Sequence, residues 1–485
     1  MLDHTDGLYA AFKAKDARFD GRFFVGISST GIYCRPVCRA KKPKPENCTF
    51  YQTAAEAELA GYRPCLLCRP EIAPGTSITD ASANLVYRTA RLLEKNCGER
   101  QSIKEIAGRL GCTDRHLRRV FTAEYNVSPV QYLQTCRLLL AKNLLTDTNL
   151  SILEVAMASG FGSLRRFNDL FKSHYNLSPT ALRKQCINDS PQTGTISLDL
   201  GYRPPYQWDK MLNFFAMRAI TGVEVVKDGE YMRTVQLTSE KKTIYGWVRV
   251  AHKAEKHTLT VTVSGSLLSV LPKVLARIRH QFDLYCDPEA IYDTLLVMNE
   301  IRPGLCVLGT RLPGCFNTFE MAVRAVLGQQ ITVKAAGTLA ARIVNVYGTP
   351  VQTGIEGLTH IFPSPEHLLS LEGDIAEHFG VLGVTSARSK TIYKLAQSIT
   401  SEEIDFELCA QPEKEIEKLM AIKGIGSWTA QYIAMRAMEW PDAFLETDAG
   451  VKKALQPYTS KELLAMANAW RPWRSYATVN LWNTL

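Results

Sequence analysis

Four cysteines stand in two tight pairs, Cys34-x3-Cys38 in GIYCRPVC and Cys65-x2-Cys68 in RPCLLC, with 26 residues between the pairs. Zn(II) takes four thiolates in a tetrahedron, and each short pair can clasp it from one turn, so the spacing predicts a four-cysteine zinc site. The other nine cysteines, at 48, 97, 112, 136, 186, 286, 306, 315 and 409, lack such pairing and read as small apolar residues. Most all-cysteine zinc sites are structural, so spacing alone favours a closed staple. The alternative is chemical: coordination keeps thiolates deprotonated, four of them make a net dianion, and an exposed sulfur of that kind can attack an electrophilic methyl group. A second candidate is Asp448 in FLETDAGVKKAL, 20 residues after Trp428 of MAIKGIGSWTAQYIA. A lone aspartate before a helix is most often an N-cap. A carboxylate there can also stabilise an oxocarbenium-like sugar and orient water. Upstream of it, Gly424 and Gly426 predict a tight turn between helices whose amides can approach a phosphate.

The chain that positions these groups has 485 residues, too many for one core, and a composition (46% hydrophobic, 22% charged) of ordinary globular protein. The N-terminal MLDHTDGLYAAFKAKDARFDG has no apolar run of signal-peptide length, and no stretch is long enough to span a bilayer, so a cytoplasmic protein without a membrane partner is expected. In that reducing compartment thirteen cysteines do not make a disulfide framework. Residues 1 to 190 hold 27 Lys and Arg against 18 Asp and Glu, while the remainder balances at 30 against 30. All of the positive excess thus lies in the front two-fifths, which points to a polyanion, most simply nucleic acid.

TSITDASA at 76 to 83 and NDSPQTGTIS at 188 to 197 read as linkers. Between them Ile106-Ala107 with Gly111 recurs as Val155-Ala156 with Gly160, and FTAEYNVSP at 121 to 129 recurs as FKSHYNLSP at 171 to 179. Each copy patterns as a helix-turn-helix. Leu117, Val120 and Phe121, and then Leu164, Phe167 and Phe171, form buried faces. Arg115, Arg118, Arg119, Arg165 and Arg166 face outward, where arginine reaches phosphates or guanine edges. From 201 the chain turns rich in Val, Thr and Tyr, predicting an antiparallel sheet packed by helices near 208 to 219 and 267 to 283; beyond Phe316 it is mostly helical.

Three resemblances rest on these motifs. GFGSLRRFNDLFK at 160 to 172 and the doubled pattern over 84 to 186 resemble the AraC family of transcription activators, which implies two recognition helices in successive major grooves. GIYCRPVCRA with ENCTFYQTAAEAELAGYRPCLLCRP is similar to the N-terminal domain of the Ada family of methyl acceptors. That resemblance implies that Cys34 takes a methyl from a DNA methylphosphotriester, that Cys38, Cys65 and Cys68 complete the zinc site, and that Arg35, Arg39, Lys41, Lys42 and Lys44 hold the backbone. The PCHR motif of the second Ada acceptor domain does not occur, so repair of O-alkylated bases is not expected. RPPYQWDKMLNFFAMRAI, RPGLCVLGTRLPGCFNTFEMAVRAVLGQQ and AWRPWRSYATVNLW resemble the AlkA family of helix-hairpin-helix alkyl-base glycosylases over 200 to 485. It implies Asp448 as the catalytic aspartate and a flipped base among Trp428, Tyr432, Trp482 and Phe214. Trp428 stands where bifunctional members carry a Schiff-base lysine, so a monofunctional enzyme is expected. Where AlkA relatives place an apolar wedge this chain has Gln329 and Gln330, and Ala449 follows the aspartate.

The expected fold class is multidomain α+β. It comprises a small zinc-binding α/β domain (1–75), an all-α tandem helix-turn-helix domain (84–187), a linker (188–199), an antiparallel sheet with two helices in a TBP-like arrangement (200–300) and an all-α helix-hairpin-helix glycosylase domain (301–485). The expected function joins methyl acceptance at Cys34, transcriptional activation and monofunctional excision of N-alkylated purines. Its partners would be alkylated and promoter double-stranded DNA and RNA polymerase, with one zinc ion as cofactor. The alternative is a pure regulator with a structural zinc and a glycosylase half that binds DNA without cutting.

Overall fold

The computed structural model describes residues 5–74, 85–99, 101–185, 194–239, 242–407 and 412–485. The linker expected at 76–83 and the first half of the one at 188–199 lie outside them.

The front unit is a sheet of β1 (Phe24–Ile27), β2 (Ile32–Cys34), β3 (Cys48–Tyr51) and β4 (Arg63–Pro64) in the order β3-β1-β2-β4. Only the β2–β4 pairing is parallel, and it carries the strand ends bearing Cys34 and Cys65 to one edge. A unit this small has few apolar residues. Phe12, Phe23 and Val25 share its core with Cys34, Cys38 and Cys65, so a metal clasp adds the stability that burial cannot supply alone.

The reader follows as the helices Ile103–Arg109 and Asp114–Tyr125, a long connector Pro129–Asp147, then Ile152–Ala158 and Leu164–Tyr175. The repeat extends to the helix ends. Ser102 with Glu105 and Ser151 with Glu154 form capping boxes, Thr113 and Ser163 cap the second helices, and Asn126 and Asn176 end them at φ +56° and +51°. Leu117, Phe121, Phe167 and Phe171 are fully buried as expected. Leu164 is instead 37% exposed, because it is the first residue of its helix and precedes the inward stripe.

The second half opens on a five-stranded antiparallel sheet: β5 (Thr195–Gly201), β6 (Glu224–Lys227), β7 (Glu230–Ser239), β8 (Lys242–Lys253) and β9 (Thr258–Ser264), in the order β5-β9-β8-β7-β6. β5 corrects the expected linker. Residues 195 to 199 alternate buried and half-buried in register with β9, from Thr195↔Ser264 to Gly201↔Thr258, and polar Thr, Ser and Asp on the outer face hid the period. The helices Trp208–Ala216 and Leu271–Gln281 pack the sheet as predicted. The boundary at 300 does not follow the packing, since Ile291, Leu295 and Met298 belong to the helical core of the C-terminal part. The core beneath the sheet also continues into the reader, where Leu138, Leu144, Val155 and Phe167 join Ile196, Leu198 and Leu200.

Candidate functional sites

The four paired cysteines converge: their sulfurs all lie within 4.8 Å of one another, and their thiolates form a one-zinc site. Tyr33, between the β2 residues, accepts the Cys65 amide at 3.0 Å, which sets one pair against the other. The sulfurs differ in what points at them. The Arg35 N–H donates to Cys68 Sγ at 3.3 Å, and the backbone N–H groups of Ala40 and Cys68 face Cys38 and Cys65. The expectation of an exposed reactive sulfur is not met, because Cys34 is only 2% exposed at its strand end.

Arg35 corrects an expectation too. It is buried rather than turned to DNA, with Nε donating to Asp20 Oδ1 at 2.8 Å, a second bond to Asp20 Oδ2, and Nη1 donating to the Cys68 carbonyl at 3.0 Å. It is a staple across the cysteine loop. Lys42 is also half-committed, over the Phe12 ring at 3.6 Å and donating to the Cys38 carbonyl at 3.0 Å. Arg39, Lys41 and Lys44 are exposed.

Two buried polar clusters, not signalled by any motif, tie this site to the reader. Arg69, next to Cys68, reaches Asn143 at 2.6 Å and Asp147 at 2.7 Å on the connector helix, while Glu71 receives Lys142 Nζ at 2.6 Å on both oxygens. Glu58 receives hydroxyls from Tyr33 at 3.0 Å, Thr135 at 2.9 Å and Tyr175 at 3.4 Å, and so joins the residue before Cys34 to the second recognition helix. Burial pushes the Glu58 carboxyl from the ordinary 4.5 up to about 7. The folded state therefore binds this proton more tightly than the unfolded chain, and that stability, fully present below 4.5, is lost as the pH rises through about 7. Between pH 5 and 8 the stability difference between wild type and Glu58→Gln should shift by about 2 to 3 kcal/mol in favour of the variant, measured by urea unfolding. A difference independent of pH would refute this.

On the reader, Arg115, Arg118, Arg119, Arg165 and Arg166 all lie exposed on the second helix of their copies. Arg118 is held by Asp114 one turn back at 2.9 Å. This exposed charge on paired helices suits the phosphates and base edges of duplex DNA.

The second site gathers residues from four elements. Trp428 and Tyr432, one turn apart on the helix Ser427–Ala437, stack at 5.2 Å and 13°. Trp482 ends the last helix and stacks on Phe214 at 6.1 Å and 24°. Asp448 lies between them as the N-cap of Ala449–Ala454, its Oδ1 accepting the amides of Gly450 at 2.9 Å and Val451 at 3.0 Å. The bland N-cap reading is thus correct but incomplete. The Trp428 indole donates to Oδ2 at 3.0 Å and the Trp482 indole to Oδ1 at 2.9 Å, so four N–H groups hold the carboxylate against the aromatic pocket.

The hairpin turn stands above it. Gly424 has φ +97°, and a Cβ there would lie 2.2 Å from Thr391 Oγ1, so no other residue fits. A Cβ on Gly426 would meet nothing within 4 Å, which leaves that face of the turn open for a phosphate. Gln329 is brought to the hairpin rather than left as a free wedge: its Nε2 donates to the Gly424 carbonyl at 2.8 Å and to Thr429 at 3.0 Å. Gln330 is exposed at φ +55°, turned outward beside it. Sequence reading passed over Arg218, which was visible one turn after Phe214 in FFAMR. Its guanidinium lies 3.8 Å from the Phe214 ring centre and 6.0 Å from that of Trp482. Burial raises the Tyr432 phenol, but Arg436, Arg218 and Arg324 outweigh it and hold the group below its ordinary value.

Among the described residues no helix is long and apolar enough to cross a membrane. Three family models match the chain: the metal binding domain of Ada over 7–71, a helix-turn-helix domain over 106–185 and the AlkA N-terminal domain over 197–317. The chain is 36% identical over 494 residues to the probable bifunctional transcriptional activator/DNA repair enzyme AlkA of Mycobacterium tuberculosis, an alignment covering 100% of this chain and 97% of the relative. DNA-3-methyladenine glycosylase 2 of Escherichia coli is 33% identical over 285 residues, 59% of this chain and 96% of its own length. The bifunctional transcriptional activator/DNA repair enzyme AdaA of Bacillus subtilis is 29% identical over 190 residues, 39% of this chain and 88% of its own.

Proposed function

The chain belongs to the family of bifunctional transcriptional activator/DNA repair enzymes of the AlkA type, and from that premise we propose a division of labour between Cys34 and Asp448. The protein is a zinc-binding, DNA-binding activator joined to a DNA glycosylase of the 3-methyladenine type. The observation that carries the catalytic half of the reading is the Asp448 carboxylate, held by two backbone amides and two indoles among Trp428, Tyr432, Trp482 and Phe214.

In the glycosylase half, alkylation at a purine ring nitrogen makes the base a cationic leaving group, so its glycosidic bond breaks with the electron pair moving onto the base. Positive charge then builds on the sugar, where the ionised Asp448 stabilises it and directs water to the anomeric carbon. Trp428 occupies the hairpin position that in a lyase would hold an amine nucleophile, so the product is a free base and an intact abasic strand.

In the front half, Cys34, Cys38, Cys65 and Cys68 would hold one zinc ion, which would keep their sulfurs as thiolates. Cys34 Sγ attacks the methyl of a phosphotriester; the S–C bond forms as the C–O bond breaks, and the pair stays on the phosphate as a diester anion. Because the sulfur is buried, the triester has to press into the cysteine loop, and Arg39, Lys41 and Lys44 supply the charge that holds the backbone there. A thioether is a poor leaving group, so each molecule reacts once. Loss of one negative charge then favours phosphate binding and operator occupancy. As an activator it would engage RNA polymerase from the promoter. The proposed domains are the acceptor at 1–75, the reader at 84–187 and, from β5 onward, the glycosylase half.

A single experiment tests both halves: the zinc-loaded protein is mixed with one duplex carrying methylphosphotriesters and N-methylated purines. The expected result is one added methyl on the Cys34 peptide by mass spectrometry, together with free base and an uncut strand. Neither product, with DNA still bound, would instead establish the pure regulator.

A further inference from the structure

We infer that Arg218 is a specificity residue of the base pocket, setting the balance between cationic and neutral damaged purines; the inference rests on the glycosylase reading above. Three guanidinium groups crowd the rear of the pocket, and they are bound differently. Arg324 is neutralised by Glu224 at 2.8 Å and Glu320 at 3.2 Å. Arg436 is buried and spent on the carbonyls of Pro313 and Gly314 and on the Tyr432 hydroxyl at 2.9 Å. Arg218 donates to the Phe214 carbonyl at 3.3 Å and has no carboxylate partner among the described residues. It is half-buried on the ring that stacks against Trp482, and burial, the largest influence on it, lowers its affinity for its proton.

The Arg218 guanidinium lies 6.0 Å from the Trp482 ring centre, so a base stacked on that ring would bring its charge to roughly 6 to 9 Å from this cation. Repulsion between unit charges at that separation is worth roughly twofold to threefold in water and twentyfold to a hundredfold at an effective dielectric near 20. An aromatic face attracts a cationic base by roughly twofold to thirtyfold. The two effects are of similar size and opposite sign, so these aromatic walls do not by themselves make a pocket reserved for cationic lesions. A neutral lesion with an acceptor on its six-membered ring loses nothing to the repulsion and can take an N–H from the guanidinium fork. Arg218 therefore narrows the advantage that N-alkyl cations would otherwise have.

The test uses the full-length zinc-loaded protein in single-turnover excision from two duplexes that differ only in one base, N7-methylguanine or hypoxanthine. Arg218→Gln should raise the ratio of the first rate to the second about tenfold, and Arg218→Lys should keep it within about twofold of wild type. Arg218→Met, which keeps an aliphatic stem over Phe214, should behave like Arg218→Gln and stands in for it should that variant not fold. Active variants with an unchanged ratio overturn the inference alone, as does a Lys variant that shifts as far as Gln. A wild type that releases neither base overturns the glycosylase reading, and the inference with it.

Discussion

Asp448→Asn is expected to slow base release from N-methylated duplex by about 10² to 10³-fold, read in single turnover with enzyme in excess. The substitution removes the charge that faces the developing sugar cation and leaves the scaffold in place. Asparagine caps a helix as well as aspartate does, so the helix Ala449–Ala454 keeps its first turn. What changes besides charge is the second oxygen. An amide nitrogen cannot accept the indole N–H that now lies 3.0 Å from Oδ2 or 2.9 Å from Oδ1, so one tryptophan loses its partner. The thermal midpoint should fall by only a few degrees, and affinity for an abasic duplex should be retained. Release within tenfold of wild type would remove Asp448 from the mechanism.

The second large effect lies where the acceptor unit meets the reader. Lys142 and Glu71 are each 1% exposed and 2.6 Å apart, and burial, which would raise the Glu71 carboxyl, is outweighed by Lys142 and Arg69 so that it stays charged and below its ordinary range. Lys142→Met leaves that carboxylate with Arg69 alone at 3.0 Å, and stability should drop by about 3 kcal/mol in urea unfolding of the zinc-loaded protein. Removing both charges, Lys142→Met with Glu71→Leu, should be less harmful than the single change, because no unpaired buried charge remains. A single variant as stable as wild type would show that the pair does not hold these units together.

Much of this molecule was legible along the chain. Zinc ligation depends on residues close in sequence, and the spacing of Cys34, Cys38, Cys65 and Cys68 forecast a cluster that the fold closes to 4.8 Å. The tandem reader was equally plain, since its capping serines, its turns and its inward Phe residues repeat as local chemistry. β5 was missed because its outer face is polar, and Leu164 was put inside because period alone does not say where a helix begins.

What local pattern could not reach were contacts between segments far apart. Arg35 looked like a phosphate ligand from its neighbours, but Asp20, 15 residues away, draws it inward. Local pattern showed Asp448 as a helix cap, and only the resemblance implied its catalytic role; the indoles of Trp428 and Trp482, 20 and 34 residues distant, make it a held anion in an aromatic pocket. Glu58 gained its three hydroxyl partners from as far as 117 residues along the chain. Ligand spacing, caps and periodicity are short-range properties written in adjacent residues. The direction of a long charged side chain depends instead on which opposite charge or open surface the finished packing sets beside it.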